Sequence, residues 1–198
     1  MNEFALFAQP WWVNLFILIP FVAYAWWRRK GLAISNRTLA VAALFGIAFG
    51  FVEAALVVYL RAAVGLLPGY GGTLADVAKL SSAVYQNAQL LGELPESLLT
   101  IEVFRETATI IMLLSVAFLT AKSFRERCAL FLWCFAAWDI FYYAGLWLIV
   151  RWPPSLLTPD VLFLIPLPWV SQVWFPVLIS ALALLAVVLA KRRGERRS

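Results

Sequence analysis

A chain of 198 residues that is 64% hydrophobic and only 14% charged cannot hide its apolar surface as an ordinary water-soluble domain, which runs nearer half apolar and a quarter charged. Its formal charge of +5 is gathered beside apolar runs, where it orients a membrane protein and meets anionic lipid, so membrane lipid is the expected partner and nucleic acid is not. Histidine is absent, which excludes histidine ligands, histidine acid–base chemistry and bis-histidine haem.

With lipid as solvent, every backbone N–H and C=O needs an internal partner, so only helices or a closed barrel can span. Barrel strands would alternate apolar and polar residues, whereas the runs here are continuous and long enough for helices. The expected fold is all-α: one integral membrane domain over 1–198, a polytopic bundle of about five transmembrane helices. An outer amphipathic helix and a short proline-flanked re-entrant or interfacial segment complete it.

The first span is expected at 10–27. Trp11 and Trp12 mark one end and Trp26 and Trp27 the other, separated by roughly 22 Å along a helix, as a pair of aromatic belts requires. No positive residue precedes this run and Arg28-Arg29-Lys30 follows it. That polarity is opposite to a signal peptide and predicts a retained helix with its N-terminus outside. The second span, 38–60, carries Ala42, Gly46, Gly50 and Ala54 at four-residue spacing. Such a small-residue row admits close approach of another helix, including one from a membrane-protein partner. Glu53 lies inside this apolar run and Arg61 closes it.

The long connection over 62–100 opens on a turn cluster, Pro68-Gly-Tyr-Gly-Gly72. Residues 74–91 then place Val77, Leu80, Val84, Ala88 and Leu91 on one helical face, predicting an amphipathic helix on the outer surface. The third span is expected at 96–121, with Glu102, Arg105 and Glu106 at its outer end. The fourth, 128–150, has Asp139 near its centre and Arg151 at its outer end. Cys128 and Cys134 sit about 9 Å apart along that helix, too far for a disulfide. After the proline-rich stretch 152–160 comes Val161–Trp169, apolar but too short to span, the interfacial or re-entrant candidate. The last span, 170–190, ends in a basic tail.

Twelve of the sixteen Lys and Arg residues (Arg28, Arg29, Lys30, Arg37, Lys122, Arg125, Arg127, Lys191, Arg192, Arg193, Arg196 and Arg197) fall on one side of this arrangement. Only Arg61, Lys79, Arg105 and Arg151 fall on the other. The bias predicts a multi-pass protein of the cell (plasma or inner) membrane with its C-terminus in the cytoplasm.

Ionisable groups within a membrane are costly and mark function by default. Glu53, Glu106 and Asp139 are the candidate catalytic acids. Arg105, Arg61, Glu102, Tyr142, Tyr143, Trp138, Arg151 and Asp160 are candidate binding residues, because the topology collects them at the outer level. Glu102 and Glu106 share a helical face bordered by Arg105, and Tyr142 and Tyr143 follow Asp139 at +3 and +4, where they can bracket it. The walls of a pocket there would be aromatic: Tyr59, Trp138, Tyr142, Tyr143, Trp147, Trp152 and Trp169. The plainer reading makes the acids and arginines interhelical ion pairs or snorkelling residues and the tryptophans belt residues. Carboxylates alone would suit hard cations, but no local spacing supports a metal site, and no motif names a cofactor. Thr109 and Ser180 have no base beside them in the sequence.

Trp138-Asp-Ile-Phe-Tyr-Tyr143, followed by Leu164-Ile-Pro-Leu-Pro-Trp169, resembles the membrane-embedded lycopene cyclase domains, which place a Trp-Asp pair in a helix before a proline-flanked apolar stretch. The adjacent glutamates of that family are not here, since Pro159-Asp160-Val161 stands in their place, and no residue role is carried over.

Three functions follow. The first is an outward-facing intramembrane pocket that binds or processes an amphiphilic, lipid- or isoprenoid-like molecule. There Asp139 would be a general acid oriented by Tyr142 and Tyr143, with Arg105 and Glu106 on a polar head. The second is a non-enzymatic accessory subunit of a larger membrane complex. The third, a small ion- or proton-coupled transporter, fits less well because five spans contain no repeat.

Overall fold

The computed structural model describes residues 7–63 and 96–196, and the side chains of 60–63 and 96–99 are outside that description. The turn cluster at 68–72 and the amphipathic helix expected at 74–91 both lie outside the described residues.

A 3₁₀ helix at Trp11–Ile17 continues into α1 (Leu18–Trp27). Then come α2 (Asn36–Ala63), α3 (Glu96–Thr120), α4 (Phe124–Val150), the strands β1 (Pro159–Phe163) and β2 (Trp169–Gln172), and α5 (Trp174–Glu195). Helices α2 to α5 are long and apolar enough to cross a membrane, whereas Trp11–Trp27 is shorter. The outward faces are those of a lipid-solvated bundle: on α3, Phe104, Ile111, Phe118 and Leu119 are all exposed, a surface that water would not tolerate.

Capping explains several boundaries. Ser123 accepts from the Glu126 N–H at 3.3 Å, which starts α4 four residues before the expected Cys128. Its Ser-x-x-Glu spacing is that of a capping box. Arg151 ends the same helix in the left-handed conformation, φ 55°, and the prolines that follow cannot extend it. Gly31, at φ +72°, turns the chain between α1 and α2, where a Cβ would stand 2.4 Å from the Gly194 Cα.

The segment expected to be re-entrant or interfacial is built as an antiparallel hairpin, so the fold is not purely α-helical. Asp160 pairs with Ser171, Val161 with Val170, and Phe163 with Trp169. Val170 also exchanges two 2.8 Å backbone bonds with Gln9, which adds the chain's beginning to the hairpin's edge. Prolines explain the departure: Pro159, Pro166 and Pro168 deny a helix its donors. An apolar backbone must still pair, and strand pairing is what remains. Trp169–Gln172 accordingly belongs to β2, and α5 begins at Trp174 rather than at 170.

Helix α4 is the centre of the bundle and packs on α2, α3 and α5. The small-residue row of α2, which could have met a partner protein, is filled by α4 of the same chain. A Cβ on Gly46 would lie 2.7 Å from the Cys134 carbonyl oxygen, and one on Gly50 would lie 2.5 Å from that of Trp138. Ala54 meets Gly145 reciprocally. Such backbone approach is what small residues permit. The two cysteines are free, with Cys134 buried at this seam.

Candidate binding cavity

The close α2–α4 contact brings Glu53, one residue before Ala54, against α3. Glu53 is 2% exposed, and a carboxylate so placed requires a partner. Arg105 supplies it, donating through Nη1 to Glu53 Oε2. The same guanidinium donates through Nε and Nη2 to Glu102 Oε2 at 3.0 and 2.8 Å. Thr109, one turn further along α3, donates through its hydroxyl to Glu53 Oε1 at 2.8 Å. The spacing 102, 105, 106, 109 is one helical face, and its Arg105 and Thr109 serve the buried Glu53.

Glu106 does not join the ion pairs. Its Oε2 accepts the backbone N–H of Leu164 at 2.8 Å, which ties α3 to the hairpin just beyond β1. A second tie runs from α4: the Tyr143 hydroxyl donates to Asp160 Oδ2 at 2.9 Å. Asp139 receives the Ser180 hydroxyl from α5 at 2.8 Å. Of the two tyrosines expected to bracket Asp139, Tyr143 reaches Asp160 on β1, and Tyr142 stacks on Trp138 at 6.1 Å.

These groups border one cavity of about 530 Å³. Glu53, Arg105 and Glu106 line it on one side and Asp139, Tyr142, Tyr143 and Asp160 on the other, with Ser180 and Ala183 of α5 below. Its apolar wall is a continuous run of rings. Phe16 meets Trp169 at 5.0 Å, Trp169 meets Phe163 at 5.4 Å, Phe163 meets Trp138 at 6.3 Å, and Trp138 meets Phe135 at 5.3 Å. The segment before α1 and the hairpin thus complete a lining that comes mostly from the long helices.

Of the residues singled out from the sequence, Glu53, Arg105, Glu106, Trp138, Asp139, Tyr142, Tyr143 and Asp160 meet at this cavity. Glu102 stands behind Arg105. Arg151 is exposed and lies over the Trp147 ring at 4.4 Å, which satisfies it at the end of α4 and away from the cavity. The side chain of Arg61 is outside the described residues. Of the expected aromatic walls, Tyr59 and Trp147 are exposed and Trp152 is buried beneath Tyr143, so none of the three lines the space. Thr109, Ser180 and the Leu164 N–H are the functional groups that spacing along one helix did not identify. Among the described residues, no group of three or more Asp, Glu or Cys is placed to hold a metal ion.

Fold and lining together define a multi-pass membrane protein with a polar-and-aromatic chamber inside its helices. No protein family, curated protein or solved structure matches the chain.

Proposed function

We propose that the protein binds, within the membrane, an amphiphilic molecule whose polar head meets Glu106, Asp139 and Asp160 and whose apolar part lies along the aromatic wall. The observation that carries this reading is the convergence of carboxyls from four separate elements, α2, α3, α4 and β1, on one cavity of about 530 Å³ whose remaining lining is mainly apolar. A purely structural use of these acids would bury each against its own counter-charge. Among the described residues Glu53 and Glu102 share the Arg105 guanidinium, whereas Glu106 accepts a backbone N–H and Asp139 a serine hydroxyl. Ligand sites combine an apolar concavity with a few convergent polar groups, as here.

The charge bias places the cavity toward the outer side of the membrane, with the N-terminus outside and the C-terminus cytoplasmic. Five crossings fit this arrangement. Seven residues in 3₁₀ geometry and ten in α geometry extend about 29 Å, near the hydrocarbon thickness. Asp139 is the group placed to donate a proton to a bound molecule if the protein also acts on it.

The test is co-purification. Protein extracted in mild detergent is predicted to carry a defined amphiphile at near one equivalent, recovered by solvent extraction and mass spectrometry. Ala183→Phe, which fills the space from α5, is predicted to lose it while remaining monodisperse. An empty wild type with a stoichiometric protein partner would instead favour an accessory subunit.

A further inference from the structure

The charge balance around the cavity narrows what its occupant can be. Glu53, Glu106, Asp139 and Asp160 line it, against Arg105 as the one lining cation among the described residues. Arg105 is already committed to Glu53 and Glu102. Glu106 receives a backbone N–H and Asp139 a serine hydroxyl, both neutral donors. An anionic head would bring another negative charge beside these carboxyls in mainly apolar surroundings, where like charges repel strongly.

The rings point the same way. Aromatic faces attract cations, and cages of several rings are a recurrent means of holding alkylammonium groups. Trp138, Phe163 and Trp169 form such a surface beside the carboxyls. The three cation–ring contacts within the described chain engage Phe118, Trp147 and Tyr24, none of which lines the cavity. Trp138 is 7% exposed, and its indole N–H has no partner among the described residues.

We infer that the molecule held in this cavity is a cationic amphiphile, an alkylammonium head on an apolar tail. Its head sits between the aromatic wall of Trp138, Phe163 and Trp169 and the carboxyls of Glu106, Asp139 and Asp160. The inference rests on the amphiphile-binding reading and adds the sign and kind of head. The same ammonium chemistry is offered by a single-chain amine and by a choline phospholipid.

The experiment compares probes of equal chain length on the full chain in a nonionic polyoxyethylene detergent, with retention read by native mass spectrometry. The probes are tetradecyltrimethylammonium, tetradecanol and tetradecyl phosphate, with phosphatidylcholine as a fourth arm. Wild type is expected to retain the ammonium probe at least about tenfold better than the phosphate. The near-isosteric pair Glu106→Gln and Asp139→Asn together is expected to bring the ammonium probe down to the level at which the same variant retains the alcohol. Retention of phosphatidylcholine alongside the ammonium probe would assign the head to a membrane lipid, and its rejection would assign a single-chain amine. Equal retention of alcohol, phosphate and ammonium by wild type would overturn the cationic head and leave amphiphile binding standing. Retention of none would overturn both. The wild-type comparison does not depend on any variant folding.

Discussion

Removing the Arg105 side chain isolates the most consequential electrostatic contact of the bundle. Arg105→Ala leaves Glu53, 2% exposed, with only the Thr109 hydroxyl, and strips Glu102 as well. Deleting one partner of a buried pair costs about 3–5 kcal/mol. The Arg105 side chain is 24% exposed, so part of the loss is relieved by screening and about 3 kcal/mol is expected. Glu53→Gln keeps an oxygen for Thr109 and leaves Arg105 on Glu102, a loss of about 1 kcal/mol. In the double variant the orphaned Glu53 charge is gone and the three Arg105 hydrogen bonds are missing, including those to Glu102, about 2 kcal/mol. The single costs thus exceed the double by about 2 kcal/mol, a coupling well above what independent sites show. Unfolding in mixed micelles by increasing sodium dodecyl sulfate, followed by tryptophan fluorescence, gives all four free energies. Additive singles, within about 0.5 kcal/mol, would refute the buried pair as described.

Two further outcomes test the frame around it. Gly50→Ala puts a methyl 2.5 Å from the Trp138 carbonyl oxygen, a backbone atom that cannot swing aside. The seam should open at a cost of about 2 kcal/mol or more, read by the same titration, and a variant as stable as wild type would contradict that approach. For orientation, with Cys128 and Cys134 replaced by serine, a cysteine at exposed Ser155 should react with an impermeant maleimide in intact cells. One at exposed Lys122 should react only after permeabilisation, and the reverse pattern would invert the proposed topology.

The acids could be found from sequence because an ionisable residue in an apolar run is expensive and therefore conspicuous. Glu53, Glu106 and Asp139 were visible for that reason, and the α2 seam was visible through its small residues. Their partners were not. Thr107, Ser115 and Thr120 return their hydroxyls to carbonyls one turn back, the ordinary habit of such residues in helices. Nothing in local spacing separates them from Thr109 and Ser180, whose partners lie 56 and 41 residues away. The hairpin was hidden for another reason. It is proline-interrupted and apolar on both sides, so the alternation that identifies a strand is absent, and its pairing is fixed by the bundle and by Gln9. Arg151 had a composition suited to the site and a position at the helix cap that turns it away.

The central claim is that the cavity between α2, α3, α4, α5 and the hairpin holds an amphiphile. An experimental density map of the protein taken directly from its native membrane tests this most directly. The account predicts elongated density whose head lies against Glu106, Asp139 and Asp160 and whose tail follows Phe163, Trp169 and Phe16. A map in which the hairpin and α5 close the space, leaving those carboxyls bonded only to protein groups, would contradict it.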